Sequence, residues 1–241
     1  MKNFTAVDFN NIKIITIAKV GSSSFLYSLK NKYSVEHGHS ILKIKDVIEG
    51  ESNTLIICGI RNPLDRNLSY LFQTFDNHGY NDVKVDENEY KGENCYICEK
   101  AELLKMGEDE IIEEFFKKDY HLTFNYWFNE FFNITGINQY EFDQEKGYKI
   151  YNYKNNNSLL MYTLEKLNQN KKELCSIFKI RKLKHTNNSS KRYYKKIYSR
   201  VKNKIKFTKD YKDSLLDTEI MKYFYNDYSI HEFYNKYGNK L

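Results

Sequence analysis

Three groups of residues in this chain have the types and spacing to hold an anion and to move a proton beside it. Lys19 precedes Gly21, Ser22, Ser23 and Ser24; Arg61 is followed eight positions later by Ser69; and His37 and His39 alternate around a glycine. The first group offers a point charge, a backbone that can come close to a ligand, and three hydroxyls with their N–H groups. The second pairs a fork-shaped guanidinium with a hydroxyl, a combination suited to a terminal phosphate. Imidazoles titrate near neutral pH, so the third could accept a proton. On a strand, His37 and His39 would face the same side. Together these residues describe a site for a doubly anionic nucleotide.

Each anion-binding group sits where a strand gives way to a helix. A strand is expected over 12–18, mainly apolar and β-branched from Ile12 to Ile17, as in a parallel strand covered on both faces, and Phe25, Leu26 and Leu29 continue as a helix over 23–31. Residues 54–60 form a second apolar strand, after which Asn62 is placed to cap a helix over 63–76 with Pro63 at its first position. Pro63 is the only proline of 241 residues. Ser69 falls about two turns beyond Arg61 at 3.6 residues per turn, so the two could share an anion lying beside the helix. A nucleotide-binding loop of the Walker type would have its lysine after the second glycine, whereas Lys19 comes before Gly21.

The segment Lys19-Val20-Gly21-Ser22-Ser23-Ser24 resembles the 5′-phosphosulfate loop of sulfotransferases, and Arg61-Asn62-Pro63-Leu64-Asp65-Arg66 through Ser69 resembles their 3′-phosphate motif. Glu36-His37-Gly38-His39-Ser40 is similar to the His-Gly-His element of the heparan sulfate 2-O-sulfotransferase branch. Trp127-Phe128-Asn129-Glu130, with Gly136-Ile137 and Gly147-Tyr148-Lys149-Ile150-Tyr151, resembles a bacterial family of capsular polysaccharide synthesis proteins. The likeness is close over residues 11–75 and looser over 120–170.

This resemblance implies a P-loop-like three-layer α/β fold with a central, mainly parallel sheet. It also implies transfer of a sulfuryl group from 3′-phosphoadenosine-5′-phosphosulfate (PAPS) to a saccharide hydroxyl of a bacterial surface glycan or its precursor, without a metal. Lys19 and the loop Val20–Ser24 would stabilise charge on the departing nucleotide, Arg61 and Ser69 would hold the 3′-phosphate, and His39 would be the base, with His37 its helper or rival. Trp127 could stack on a sugar ring and Glu130 could bond its hydroxyls. Ser190 and Lys191 fall where the family closes a loop over the nucleotide. A nucleotide-dependent phosphotransferase would need a magnesium-binding carboxylate at a strand end, and none is evident. A non-catalytic nucleotide- or glycan-binding protein is the other alternative.

The chain is long enough for one sizeable core, and a single domain over 1–241 is expected: a nucleotide-binding half near 11–77, an acidic insertion near 78–118, and a helical, substrate-facing remainder over 119–241. Residues 82–114 hold twelve Asp or Glu against four Lys, and 176–209 hold thirteen Lys or Arg with no acid, within a net charge of +6. The basic stretch reads as a solvated helix face and acceptor wall, with contact to a membrane surface or lipid-linked glycan through 179–209 as its further use; nucleic acid is not an expected partner. Cys95 and Cys98 have metal or redox spacing but no second pair, so free thiols are expected. The lack of a long apolar run or leader points to the cytoplasm.

Further elements are expected as strands over 40–45, 149–153 and 158–161, and as helices over 99–105, 108–118, 120–133, 163–178, 191–205, 211–226 and 230–237.

Overall fold

Residues 54–60, Thr-Leu-Ile-Ile-Cys-Gly-Ile, contain no polar alternation, and such a run is stable as a strand covered on both faces. The computed structural model, which describes Phe9 and residues 11–74, 105–184 and 194–238, puts this run at the centre of a five-stranded sheet. The strands are β1 (Asn11–Ile15), β2 (Ser34–Gly38), β3 (Thr54–Ile60), β4 (Tyr148–Asn152) and β5 (Ser158–Thr163). Their order is β2-β1-β3-β5-β4, with all neighbours parallel except β4 and β5.

The helices are α1 (Ser22–Leu29), α2 (Leu42–Gly50), α3 (Pro63–Thr74), α4 (Glu108–Phe116), α5 (Tyr120–Thr135), α6 (Lys171–Ile177), α7 (Lys195–Lys204), α8 (Lys209–Leu216), α9 (Glu219–Phe224) and α10 (Asp227–Asn235). Alternation along β3 sends Leu55 and Ile57 to one face, where they pack with Phe25 and Leu29 of α1 and Leu174 of α6. Ile56, Cys58 and Ile60 go to the other face, against Leu64 and Leu68 of α3 and the aromatic side of α5. The protein is thus α/β, a mostly parallel sheet flanked by helices on both faces.

The connection after β1 leads through α1 to β2 on one side, and the chain then returns through α2 to β3 on the other. The carboxyl ends of β1 and β3 therefore diverge at a topological switch point, where open α/β sheets form their ligand crevice. The two strand-to-helix turns singled out in the sequence flank that point.

Several elements differ from expectation. The strand expected over 40–45 is helical: Ile41, Ile44 and Val47 recur at helical spacing, Ile44 and Val47 are buried, and Leu42 points to solvent. A short apolar run cannot by itself distinguish the two states. The strand is Ser34–Gly38 instead, whose edge position lets it be polar. The helix expected from 163 begins only at Lys171, because Leu164 N–H donates to Ile60 O (2.9 Å) and prolongs the sheet contact. The helix expected over 211–226 is two, since the Thr218 hydroxyl accepts from Met221 N–H (3.3 Å) and starts α9 afresh.

Residues 75–104 lie outside the described residues, and with them the first part of the acidic insertion, Cys95, Cys98 and all but the last residue of the helix expected over 99–105. The rest of the insertion joins the main core, where Ile111 and Phe115 of α4 are fully buried. The solvent side of α4 meets the basic stretch directly, with Arg200 2.6 Å from Glu108 and Lys204 2.7 Å from Asp109. Among the described residues no helix is long and apolar enough to cross a membrane.

Gly59 supplies a stability test. A Cβ there would lie 2.4 Å from Tyr162 Cζ, so only glycine lets the Tyr162 ring cross β3, where its hydroxyl donates to Val20 O (3.0 Å). Gly59→Ala is expected to destabilise the protein by about 1–3 kcal/mol, the usual cost of overpacking a core. Chemical denaturation checks it; an unchanged midpoint would show that Tyr162 can yield without loss.

Candidate anion-binding site

The β1–α1 turn is shaped by side chains that occupy its carbonyl oxygens. Thr16 O accepts from His39 Nδ1 (2.7 Å), Ala18 O from Arg66 Nε (3.0 Å), Lys19 O from Arg61 Nη1 (3.4 Å) and Val20 O from the Tyr162 hydroxyl. Gly21 O accepts from Ser24 N–H (3.0 Å). With these acceptors engaged, the loop offers donors: hydroxyls, N–H groups at the start of α1 and the Lys19 ammonium.

Lys19 and Gly21 both have positive φ, 74° and 89°. Gly21 is needed twice over, since a Cβ would also come within 2.6 Å of Leu164 Cδ1. Val20 differs from its neighbours: its side chain is fully buried in the core, so it can contribute only backbone.

Beyond this turn lies a cavity of about 330 Å³. Lys19, Gly21, Ser22, Ser23 and Ser24 line it from the first motif, Arg61 and Ser69 from the second, and His37 and His39 from the end of β2. Asn62 caps α3 as expected, its Oδ1 accepting from Leu64 N–H (2.9 Å), which orients the first turns of the helix that carries Ser69. Five further polar residues line the cavity without having stood out in the sequence: Gln73, Asn168, Lys171, Lys184 and Tyr198. Gln73 could have been found, since it follows Ser69 by one helical turn. The others arrive through sheet order and the packing of α7, which no local pattern reveals. Among the described residues that line the cavity are four cations, Lys19, Arg61, Lys171 and Lys184, and no Asp or Glu.

The histidines differ in their bonds. The rings lie 5.0 Å apart, nearly edge to face. His39 Nδ1 faces a carbonyl, which can only accept, so Nδ1 carries the hydrogen and Nε2 is the basic nitrogen of the neutral ring. His37 Nε2 is instead engaged with Ser22 Oγ at 3.0 Å. Trp127 supports this edge from beneath, its Nε1 donating to His39 O (3.2 Å).

That placement corrects the expected role of Trp127. The residue is 8% exposed and stacks on Phe131 with centroids 5.4 Å apart, so its ring is committed to the core and offers no face to a sugar. Glu130 does not line the cavity, and its Oε1 accepts from Asn133 Nδ2 (3.3 Å). Ser190 and Lys191 lie outside the described residues.

Behind Arg61, buried Asp65 binds the C-terminal region to α3. Its carboxylate accepts from the Tyr237 hydroxyl (2.7 Å), lies 3.0 Å from Lys202 Nζ and is paired with Lys236. Burial alone would raise its pKa, but Arg61, Lys236 and Lys202 together hold it well below the usual carboxylate range. Lys202, Arg200 and Lys204, within the basic stretch 179–209, thus each meet an acid of the same chain.

His37 titrates below the ordinary imidazole value, through partial burial and then the charge that His39 can carry. A lowered folded-state pKa means that the unfolded chain takes up this proton first. The histidine's contribution to stability is therefore whole above about pH 6.5 and is lost as pH falls through the folded value. His37→Gln is expected to flatten the decline in melting temperature between about pH 7 and 5.5. Equal declines in both proteins would assign the acid sensitivity elsewhere.

Comparison of the chain with protein-family models, with curated proteins and with solved structures finds no significant match. A larger hollow of about 1570 Å³ along the β4 edge is lined, among the described residues, by none of those singled out for chemistry.

Proposed function

We propose that this protein is a sulfotransferase that uses PAPS as donor and a hydroxyl of a bacterial surface glycan or its precursor as acceptor. The observation that carries this reading is one cavity lined by both anion-binding motifs and the histidine pair, with four cations and no carboxylate among the described residues that line it. A phosphotransferase acting on a magnesium nucleotide would want carboxylates there.

When bound, PAPS supplies an activated sulfuryl group on a doubly anionic nucleotide. Arg61 and Ser69 would bind the 3′-phosphate beside α3, and the Lys19–Ser24 turn would bind the phosphosulfate. Lys19 would oppose the negative charge that grows on the departing phosphate oxygen, a contribution realised mainly in the transition state. His39 would receive the acceptor's proton on Nε2 while Nδ1 stays bonded to Thr16 O. Lys171, Lys184 and Tyr198 would add to the wall of the donor site.

Incubation with radiolabelled PAPS and cell-surface glycan, with and without EDTA, tests the proposal, beside a parallel reaction with labelled ATP. EDTA-insensitive sulfate transfer supports it. Metal-dependent phosphate transfer would point to a phosphotransferase, and binding without turnover to a non-catalytic module; either would overturn it.

A further inference from the structure

Arg66 has no part in the chemistry just described, yet it is the largest fully buried side chain in the described structure, at 2% exposure. Nε donates to Ala18 O (3.0 Å), Nη1 donates to Asn67 Oδ1 (2.9 Å), and the guanidinium carbon lies 4.4 Å from the centre of the Tyr70 ring. No carboxylate among the described residues lies within ion-pair distance of it. Its other close electrostatic neighbours are Tyr120 and Tyr211. Burial makes the guanidinium easier to deprotonate, down to about 10, which still leaves it charged at neutral pH.

An interior charge without a counter-ion is costly, and folds rarely retain one for packing alone. The direction in which this charge looks is informative. Ala18 lines the anion cavity and Arg66 stands directly behind it, bonded to its carbonyl. Turning that oxygen away removes a negative dipole end from the cavity wall. Because the guanidinium is shielded from solvent, its field reaches the cavity with little screening, unlike that of the exposed Lys184.

We propose that Arg66 is a positioning residue and internal counter-charge for the anion held by the β1–α1 turn: it fixes the Ala18 carbonyl outward, and its own charge is balanced only when a phosphate- or sulfate-bearing ligand enters. The inference rests on the cavity being an anion site, not on the anion being PAPS. The charge accordingly serves the ligand rather than the fold.

The test compares wild type with Arg66→Met, Arg66→Gln, Arg66→Lys and Lys184→Met by titration calorimetry, using inorganic pyrophosphate as the probe. Arg66→Met and Arg66→Gln are expected to fold and to bind pyrophosphate at least about tenfold more weakly, while Arg66→Lys, which keeps the charge but not the fork bonded to Ala18 and Asn67, recovers part of the loss. Raising NaCl from about 0.05 to 0.5 M, where the screening length falls to a few ångströms, should shrink the penalty of Lys184→Met but leave that of the neutral Arg66 variants. A merely structural arginine would not produce that difference in salt response.

The inference is overturned if the neutral variants bind within about threefold of wild type, if Arg66→Lys binds as weakly as Arg66→Met, or if the penalty disappears at high salt. It is also overturned if neither neutral variant folds, since the charge would then belong to the fold. If wild type binds pyrophosphate but does not prefer adenosine 3′,5′-bisphosphate to AMP, the PAPS reading fails while the Arg66 comparison still stands. Wild type that binds none of these anions overturns both.

Discussion

His39→Ala is expected to lower sulfate transfer by about 10²–10⁴, the usual effect of removing a positioned base, while leaving affinity for adenosine 3′,5′-bisphosphate near that of wild type. The reason is bond bookkeeping. The Thr16 carbonyl requires the Nδ1 hydrogen, so Nε2 of the neutral ring has its lone pair available at the cavity. In His37 the corresponding nitrogen is taken by Ser22, and His37→Ala should cost less. His39→Asn is a sharper variant, because its amide can still donate to Thr16 O without being able to accept a proton from an alcohol. Loss of activity with retained melting temperature and bisphosphate binding is the expected outcome. If His39→Asn keeps more than about a tenth of the initial rate, His39 is not the base.

Arg61→Ala is expected to abolish the discrimination between adenosine 3′,5′-bisphosphate and AMP. A ligand at 100 times its dissociation constant stabilises by about 2.7 kcal/mol, which for a chain of this length corresponds to a rise in melting temperature on the order of 5–10 °C. AMP lacks the 3′-phosphate and should produce little of this rise at equal concentration. In Arg61→Ala the two nucleotides should give equally small shifts. Ser69→Ala should have the same effect to a lesser degree, since a hydroxyl gives one hydrogen bond where a guanidinium gives a charge and a fork. Equal shifts in the wild type would remove the 3′-phosphate assignment, and an undiminished difference in Arg61→Ala would move it to another cation such as Lys171 or Lys184. Because Arg61 also donates to Lys19 O and lies near Asp65, the melting temperature of the unliganded variant must be compared first.

Several parts of the fold and site were legible locally. The unbroken apolar run of β3, the Asn62–Pro63 start of α3 and the Gly21 turn each carry their structure in a few neighbouring residues, because burial on two faces, capping and positive φ are short-range demands. The same holds for the eight-residue spacing of Arg61 and Ser69, which follows from helix geometry. Residues 40–48 mark the limit: a short apolar run fits either period, and only the packing of Ile44 and Val47 against the main core decides for the helix.

What the sequence determined, then, is which residues could bind an anion and accept a proton, since these properties belong to side-chain types and to nearest neighbours. Which of them share a cavity was decided by the order β2-β1-β3-β5-β4, which brings the end of β2 and the β5–α6 turn to the switch point between β1 and β3. Tertiary contact also settled the identity of the supports. Trp127 became a core residue bonded to His39, the basic α7 found its acids in α4 and Asp65, and Arg66 was buried behind Ala18. Such assignments depend on distant partners, from a sequence separation of 48 for Arg66 and Ala18 to 171 for Asp65 and Lys236. Local propensity and periodicity do not reach that far, because they describe the chain over a few turns, whereas burial and charge compensation are properties of the packed whole.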